Sequence, residues 1–208
     1  MNKNNLIRFA QSLIFLPFMT GTMPLGDITN NPTAETFQNV FIQKQNIEAS
    51  GILAFNQVFD QKANDLKVKK AEAIDNYFKS YNMPLSGMGM KMVEEALKND
   101  LDWRLLPAIA VRESTGGKFE CKKVKNNAFG WGSCKIGFDS NEEAIETVAR
   151  NLGGNNPKTE RYYADKDIKG ILQAYNPPSI VARYAHQVIS IMESIGDENP
   201  ILGEEANS

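Results

Sequence analysis

Apolar positions recur at helical spacing through most of this chain, and almost nowhere do they alternate as a half-buried strand requires. In residues 46–80, Ile47, Ile52, Phe55, Phe59, Leu66, Ile74, Tyr77 and Phe78 are separated by Lys, Asp and Glu, with neither Pro nor Gly from Phe55 to Met83. The spacing is too irregular for a heptad seam. Met83-Pro84-Leu85-Ser86-Gly87-Met88-Gly89 ends this helix. A second is predicted from Met90 to Asn99, with Met92, Val93, Ala96 and Leu97 inward. A third carries Leu105, Leu106, Ile109 and Ala110, with Asp102 placed to cap it and Pro107 near its first turn. A fourth spans Glu142 to Leu152 behind Asp139 or Ser140, buries Ala144, Ile145, Val148 and Leu152, and stops at Gly153-Gly154. Past the short Arg161-Tyr162-Tyr163 segment, one helix lies near Asp167–Tyr175. After Asn176-Pro177-Pro178-Ser179, a last one runs from about Ile180 to Ile195, with Val181, Tyr184, Ala185, Val188, Ile189 and Met192 on its stripe. Thr115 to Gly137 has no apolar period and reads as a loop or short hairpin. The pattern predicts a mainly α fold with a small loop/hairpin region, preceded by a long N-terminal helix.

The third stripe ends on a carboxylate. Glu113 continues the face of Leu105, Leu106, Ile109 and Ala110, then the chain leaves through Ser114-Thr115-Gly116-Gly117. Burial disfavours the charged carboxylate and raises its pKa. A carboxylic acid that keeps its proton at the edge of a cleft suits protonation of a glycosidic leaving-group oxygen. The plainer alternative is a solvated Glu at a frayed helix end beside Arg112.

The ends of the chain read differently. Residues 1–25 have the order of a secretory signal: Lys3 and Arg8, then the apolar run Leu13–Met19, then Thr20-Gly21-Thr22. That run is short for a membrane span, so the protein is expected to be secreted, periplasmic or held at the cell surface. It meets a membrane only if this segment stays uncleaved. Residues 26–45 are polar and read as a disordered linker, 46–82 as the long helix, 83–196 as a folded domain and 197–208 as a loose acidic tail.

The chain has 208 residues and a net charge of −2, so no strong field advertises nucleic acid. Its two cysteines, Cys121 and Cys134, are expected to pair in an exported protein. His186 is the single histidine, which supports neither a zinc site nor Ser-His chemistry; no metal or cofactor is expected. Between the cysteines, Asn126-Asn127-Ala128-Phe129-Gly130-Trp131-Gly132 combines glycines, which let backbone approach a ligand, with flat aromatic faces that suit a sugar ring.

Taken together, residues 100–195 resemble the lysozyme-like superfamily of glycan-cleaving domains, in particular the glucosaminidase domains of glycoside hydrolase family 73 and the soluble lytic transglycosylases. Ala108–Ser114 resembles the catalytic helix that ends in Glu-Ser. Asn127-Ala128-Phe129-Gly130 resembles the glucosaminidases' Asn-x-Phe-Gly turn. Phe138-Asp139-Ser140 before Glu142-Glu143-Ala144 resembles their aromatic, polar, Glu-Ala element. Tyr175-Asn176 resembles the transglycosylases' Tyr-Asn, and Tyr184-Ala185 the tyrosine near the catalytic acid of both groups. The resemblance implies a helical domain whose Glu113 is the general acid, assisted by Tyr184. Ser114, the Phe129-Gly130-Trp131 backbone, Tyr175 and Asn176 would line a groove for the amino-sugar strand of peptidoglycan. The transglycosylases' Gly-Leu-Met-Gln is replaced here by Phe129-Gly130-Trp131-Gly132, which favours an endo-β-N-acetylglucosaminidase-like hydrolase. A second carboxylate is not fixed by the sequence; Glu120, Asp139, Glu142 and Glu143 are candidates. Transglycosylase-like closure, a catalytically silent wall-binding module and an oligomerising stalk built on residues 46–80 are the competing expectations.

Overall fold

The computed structural model describes residues 34–197, with side chains from residue 56 onward. The expected signal segment, residues 26–33 of the expected linker and the tail from residue 198 lie outside the described residues. The chain falls into two units, Met1–Leu53 and Ala54–Ser208. Among the described residues there are seven helices and no strand, so the fold is mainly α.

Helix α1 spans Ala34–Ser80. It takes in residues 34–45, for which the polar composition suggests disorder. The physical reason is that neither Pro nor Gly falls between Ala34 and Ser50, so nothing there forbids helical backbone. In the second unit, Ala71, Ile74 and Phe78 of α1 join the core, while Val58 and Phe59 are exposed. The inward face of α1 is therefore shorter than the sequence pattern.

Helix α2 (Gly89–Lys98) buries Met92, Val93 and Ala96 but exposes Leu97. At about 100° per residue, Leu97 lies past the edge of an arc centred between Met92 and Ala96. Glu95 is buried in its stead, with Lys91 Nζ 2.9 Å and Lys98 Nζ 3.4 Å from its oxygens. These cations outweigh burial and hold the Glu95 carboxyl below its usual range.

Helix α3 (Leu105–Ser114) is enclosed on every side over its first six residues, Leu105 to Ala110. It is the central rod of the unit and packs most extensively on α7 (Tyr184–Ile195), and also on α2 and α4 (Asn141–Leu152). Asp102 does not cap it. The Asp102 carboxylate accepts from the Arg104 amide at 2.9 Å and grips its guanidinium at 2.6 Å. Pro107 sits in the first turn, where an amide proton has no helical partner to lose.

The exit of α3 is tight. Gly116 N–H donates to Ala110 O and Thr115 N–H to Val111 O, with Thr115 left-handed at φ 54°, ψ 51°. Glycine usually occupies this closing position. From here to residue 138 the chain is a loop with one 3-10 turn, Trp131–Cys134, and no hairpin forms. Gly130, Gly132, Ser133 and Cys134 all have positive φ, a backbone that cannot run as a strand. A Cys121–Cys134 disulfide closes the loop.

The remaining helices follow their caps. Ser140 Oγ accepts from Glu143 N–H at the start of α4, and Glu143 Oε2 accepts from Asp139 N–H, a reciprocal cap. Helix α5 is Glu160–Tyr163, and α6 is Ile168–Tyr175 with Asp167 accepting from Gly170 N–H. Helix α7 begins at Tyr184, later than the stripe suggests, because Ile180 and Val181 N–H both turn back to Pro177 O. Tyr184, Val188, Met192 and Ile195 are its buried face. No described helix is long and apolar enough to cross a membrane.

Thr115 gives a direct check on the α3 exit. A side chain in left-handed backbone costs about 1–2 kcal/mol, partly offset by the greater chain entropy of glycine. Thr115→Gly is expected to raise unfolding stability by about 0.5–1 kcal/mol in urea melts. A loss of stability would mean that this residue is not left-handed.

Candidate active site

The candidate site forms where α3 leaves the core. Its last turn is half-buried at Val111, Arg112 and Glu113 after six enclosed residues. Glu113 Oε1 accepts a hydrogen bond from the Tyr184 hydroxyl at 2.7 Å. Its Oε2 faces Gly130, where a Cβ would lie 2.9 Å away. Gly130 has φ +64°, so glycine is required there twice, for its backbone and for the room it leaves the carboxyl.

Burial pushes the Glu113 carboxyl above its usual range, against the opposing pull of the Tyr184 hydrogen bond and the Arg112 charge. Tyr184 is itself buried, and burial, with Tyr175 and Glu113 nearby, drives its hydroxyl far up. It is therefore a neutral donor at any working pH. The Arg112 guanidinium lies 5.7 Å from the centre of the Tyr184 ring and its Nε donates to Gln187 Oε1 at 2.9 Å, which fixes the cation on the ring rather than on Glu113.

Three further aromatic residues extend from Tyr184. Tyr175 stacks on it with ring centres 5.9 Å apart and an interplanar angle of 12°. Trp131 lies 5.8 Å from Tyr175 and 6.5 Å from Tyr163. Burial raises the Tyr163 hydroxyl to about 12. The Tyr175 hydroxyl donates to Phe129 O, tying α6 to the residue before Gly130.

The structure thus brings together Glu113, Tyr184, Tyr175, Gly130 and Trp131. Two expected sugar contacts are placed differently. Ser114 is 3% exposed, and its hydroxyl bonds Ala128 O at 2.7 Å and Ala110 O at 3.1 Å while accepting from Gly117 N–H at 2.9 Å. It anchors the loop to α3, with its proton committed to backbone carbonyls and its side chain buried away from a ligand. The Phe129 ring is 1% exposed and belongs to the core; only its backbone reaches the site. Asn176 is half-buried, and its amide N–H closes α6 on Leu172 O. Of the carboxylate candidates, Glu143 is spent on its cap, and Glu120, Asp139 and Glu142 are exposed. None is hydrogen-bonded to Glu113 or to its tyrosine partners. His186 is exposed on α7.

Three contributors were not singled out in the sequence. Tyr163 was indistinguishable there from its exposed neighbour Tyr162. Arg112 read only as a charge beside Glu113. Asn127 read as part of a turn. Two clefts, of about 570 and 410 Å³, lie at the opposite end of α3, around Asp100, Asp102 and Ile168. Neither includes Glu113. The chain matches no family model, no curated protein and no solved structure.

A carboxyl with its folded pKa above the unfolded one makes the folded state hold the extra proton. The contribution of this group to stability is then fully present at low pH, where both states are protonated, and is lost as pH rises from about 4.3 through the folded value. Glu113→Gln removes the cost of the charge and keeps an acceptor for Tyr184. Its Tm is expected to exceed the parent's at neutral pH and to converge with it at pH 3. A variant less stable than the parent at pH 7 would show that Glu113 is not desolvated.

Proposed function

We propose that this protein cleaves the amino-sugar strand of peptidoglycan, with Glu113 as the general acid. The observation that carries the reading is the half-buried Glu113 carboxyl, bonded on one oxygen by Tyr184 and given room on the other by Gly130. A glycosidic bond breaks when its leaving oxygen takes a proton, and a carboxyl with a raised pKa keeps that proton to higher pH than an ordinary one. The Tyr184 hydrogen bond holds Oε1, so the proton belongs on Oε2, the oxygen over Gly130. After transfer, the same hydrogen bond and the nearby Arg112 favour the carboxylate that remains. The adjoining Trp131 offers an aromatic face to a sugar ring. The order of short motifs from Ala108 to Tyr184 adds the resemblance to glucosaminidases and lytic transglycosylases.

Two routes complete the reaction. In hydrolysis a second carboxylate takes part: in retaining enzymes it lies about 5–5.5 Å from the first and attacks the anomeric carbon, after which water frees the sugar, and in inverting ones it lies farther away and activates the attacking water. In intramolecular closure, the sugar's own C6 hydroxyl forms the new bond to the anomeric carbon and its proton returns to Glu113, leaving an anhydro ring and consuming no water. The Phe129–Gly132 segment, in place of the transglycosylases' Gly-Leu-Met-Gln, favours glucosaminidase-like hydrolysis; intramolecular closure is the competing reading, and the mass of the products separates the two. Export fits a protein held by a disulfide, and a location outside the cytoplasm is part of the proposal.

Incubation of the purified protein with insoluble walls, followed by mass spectrometry of the released fragments, tests both parts. Fragments of hydrolytic mass are expected, fragments lighter by one water would identify intramolecular closure instead, and Glu113→Gln is expected to release less than a hundredth of the parent's amount, the lower end of the range for a lost general acid, about 10²–10⁴-fold. Release by the variant at the parent's rate would remove Glu113 from the chemistry. Wall binding with no release by either protein would leave the silent-module reading.

A further inference from the structure

We propose that Asn127 is a positioning residue for the acid: its side-chain amide sets the height of Gly130 beneath Glu113 Oε2. The side chain is fully buried. Its Nδ2 donates to Trp131 O at 2.9 Å and to Ile136 O at 2.8 Å, and its Oδ1 accepts from Trp131 N–H at 2.9 Å. One planar group therefore grips both backbone polar groups of Trp131 and ties them to the far side of the loop. Both amide protons are used, and no other neutral side chain of this size supplies two donors and an acceptor in one plane.

This grip matters because of what lies one residue earlier. Gly130 is fixed between two anchors: Phe129 O, held by the Tyr175 hydroxyl, and Trp131, held by Asn127. Ser114 fastens Ala128 O to the end of α3 itself. The Gly130 backbone then lies against Glu113 Oε2 with no space for a methyl group between them. Left-handed backbone at Gly130, Gly132, Ser133 and Cys134 gives this segment no ladder of its own, so its shape depends on side-chain anchors. Releasing Trp131 lets Gly130 lift and admits water to the carboxyl. The disulfide restrains the ends of the loop, at Cys121 and Cys134, and leaves the height of residue 130 to the side-chain anchors, with Asn127 the one on its C-terminal side.

The inference builds on Glu113 as the acid, but its test does not depend on glycan cleavage. Asn127→Ser and Glu113→Gln are combined in a double-mutant cycle read by thermal melts at pH 7. If Asn127 keeps water from Glu113, the Tm gain of Glu113→Gln in the parent is mostly lost in the Asn127→Ser background. Equal gains in both backgrounds would make Asn127 a structural residue only and overturn the proposal. Hydrogen exchange on the parent decides the case if Asn127→Ser does not fold. The Asn127 side-chain amide and the Trp131 N–H are expected to exchange together and far more slowly than free amides; exchange at solvent rates would also overturn the proposal. Loss of wall cleavage with an additive cycle would leave the proposed function standing and this inference refuted. A coupled cycle without any cleavage would do the reverse.

Discussion

The Tyr184–Glu113 hydrogen bond is the contact on which the site depends, and the packing of α3 makes it possible. A helix enclosed on every side for six residues cannot present a polar group until it emerges. Glu113 stands at that emergence, close enough to the core to lose part of its hydration and far enough out to be reached. Tyr184, from the helix that α3 packs against most, meets it there. Burial raises the carboxyl and the Tyr184 hydrogen bond opposes it, with burial the larger effect.

The second half of the site is a loop without secondary structure. Its conformation comes from side chains that bond to backbone: Ser114 on Ala128, Asn127 on Trp131 and Ile136, Asn126 on Phe138, and Tyr175 on Phe129. Each satisfies polar groups that a strand would have paired. Ser133 and Cys134, left-handed without being glycine, store conformational cost in the same segment. The aromatic series of Tyr184, Tyr175, Trp131 and Tyr163 lies along this loop and joins α7, α6 and α5 to it.

Much of this was legible in the sequence because it follows helical periodicity. The stripe ending at Glu113 and the stripe carrying Tyr184 both fall within a few residues of their helices, and of the two cap candidates before α4, Asp139 and Ser140, it is Ser140 that caps it. What failed was burial at the margins. Leu97 looks inward by type but lies off the buried arc, and Glu95 is buried because two lysines accompany it. The resemblance puts Ser114 at the groove, yet its hydroxyl points back to staple the loop. The loop itself was opaque, since its shape rests on bonds between residues four to nearly fifty apart, which no local period encodes. Asn127 shows this most clearly: its partners are known only once the chain has turned.

The state of the Glu113 proton tests the account most directly. A carbon-13 titration of the Glu113 carboxyl, assigned by its absence in Glu113→Gln, reads that state without any substrate. The account predicts a single midpoint clearly above the ordinary glutamate value of about 4.3. A midpoint at or below that value would mean that the carboxyl is fully hydrated or firmly held as an anion, and the acid role argued for it would be contradicted.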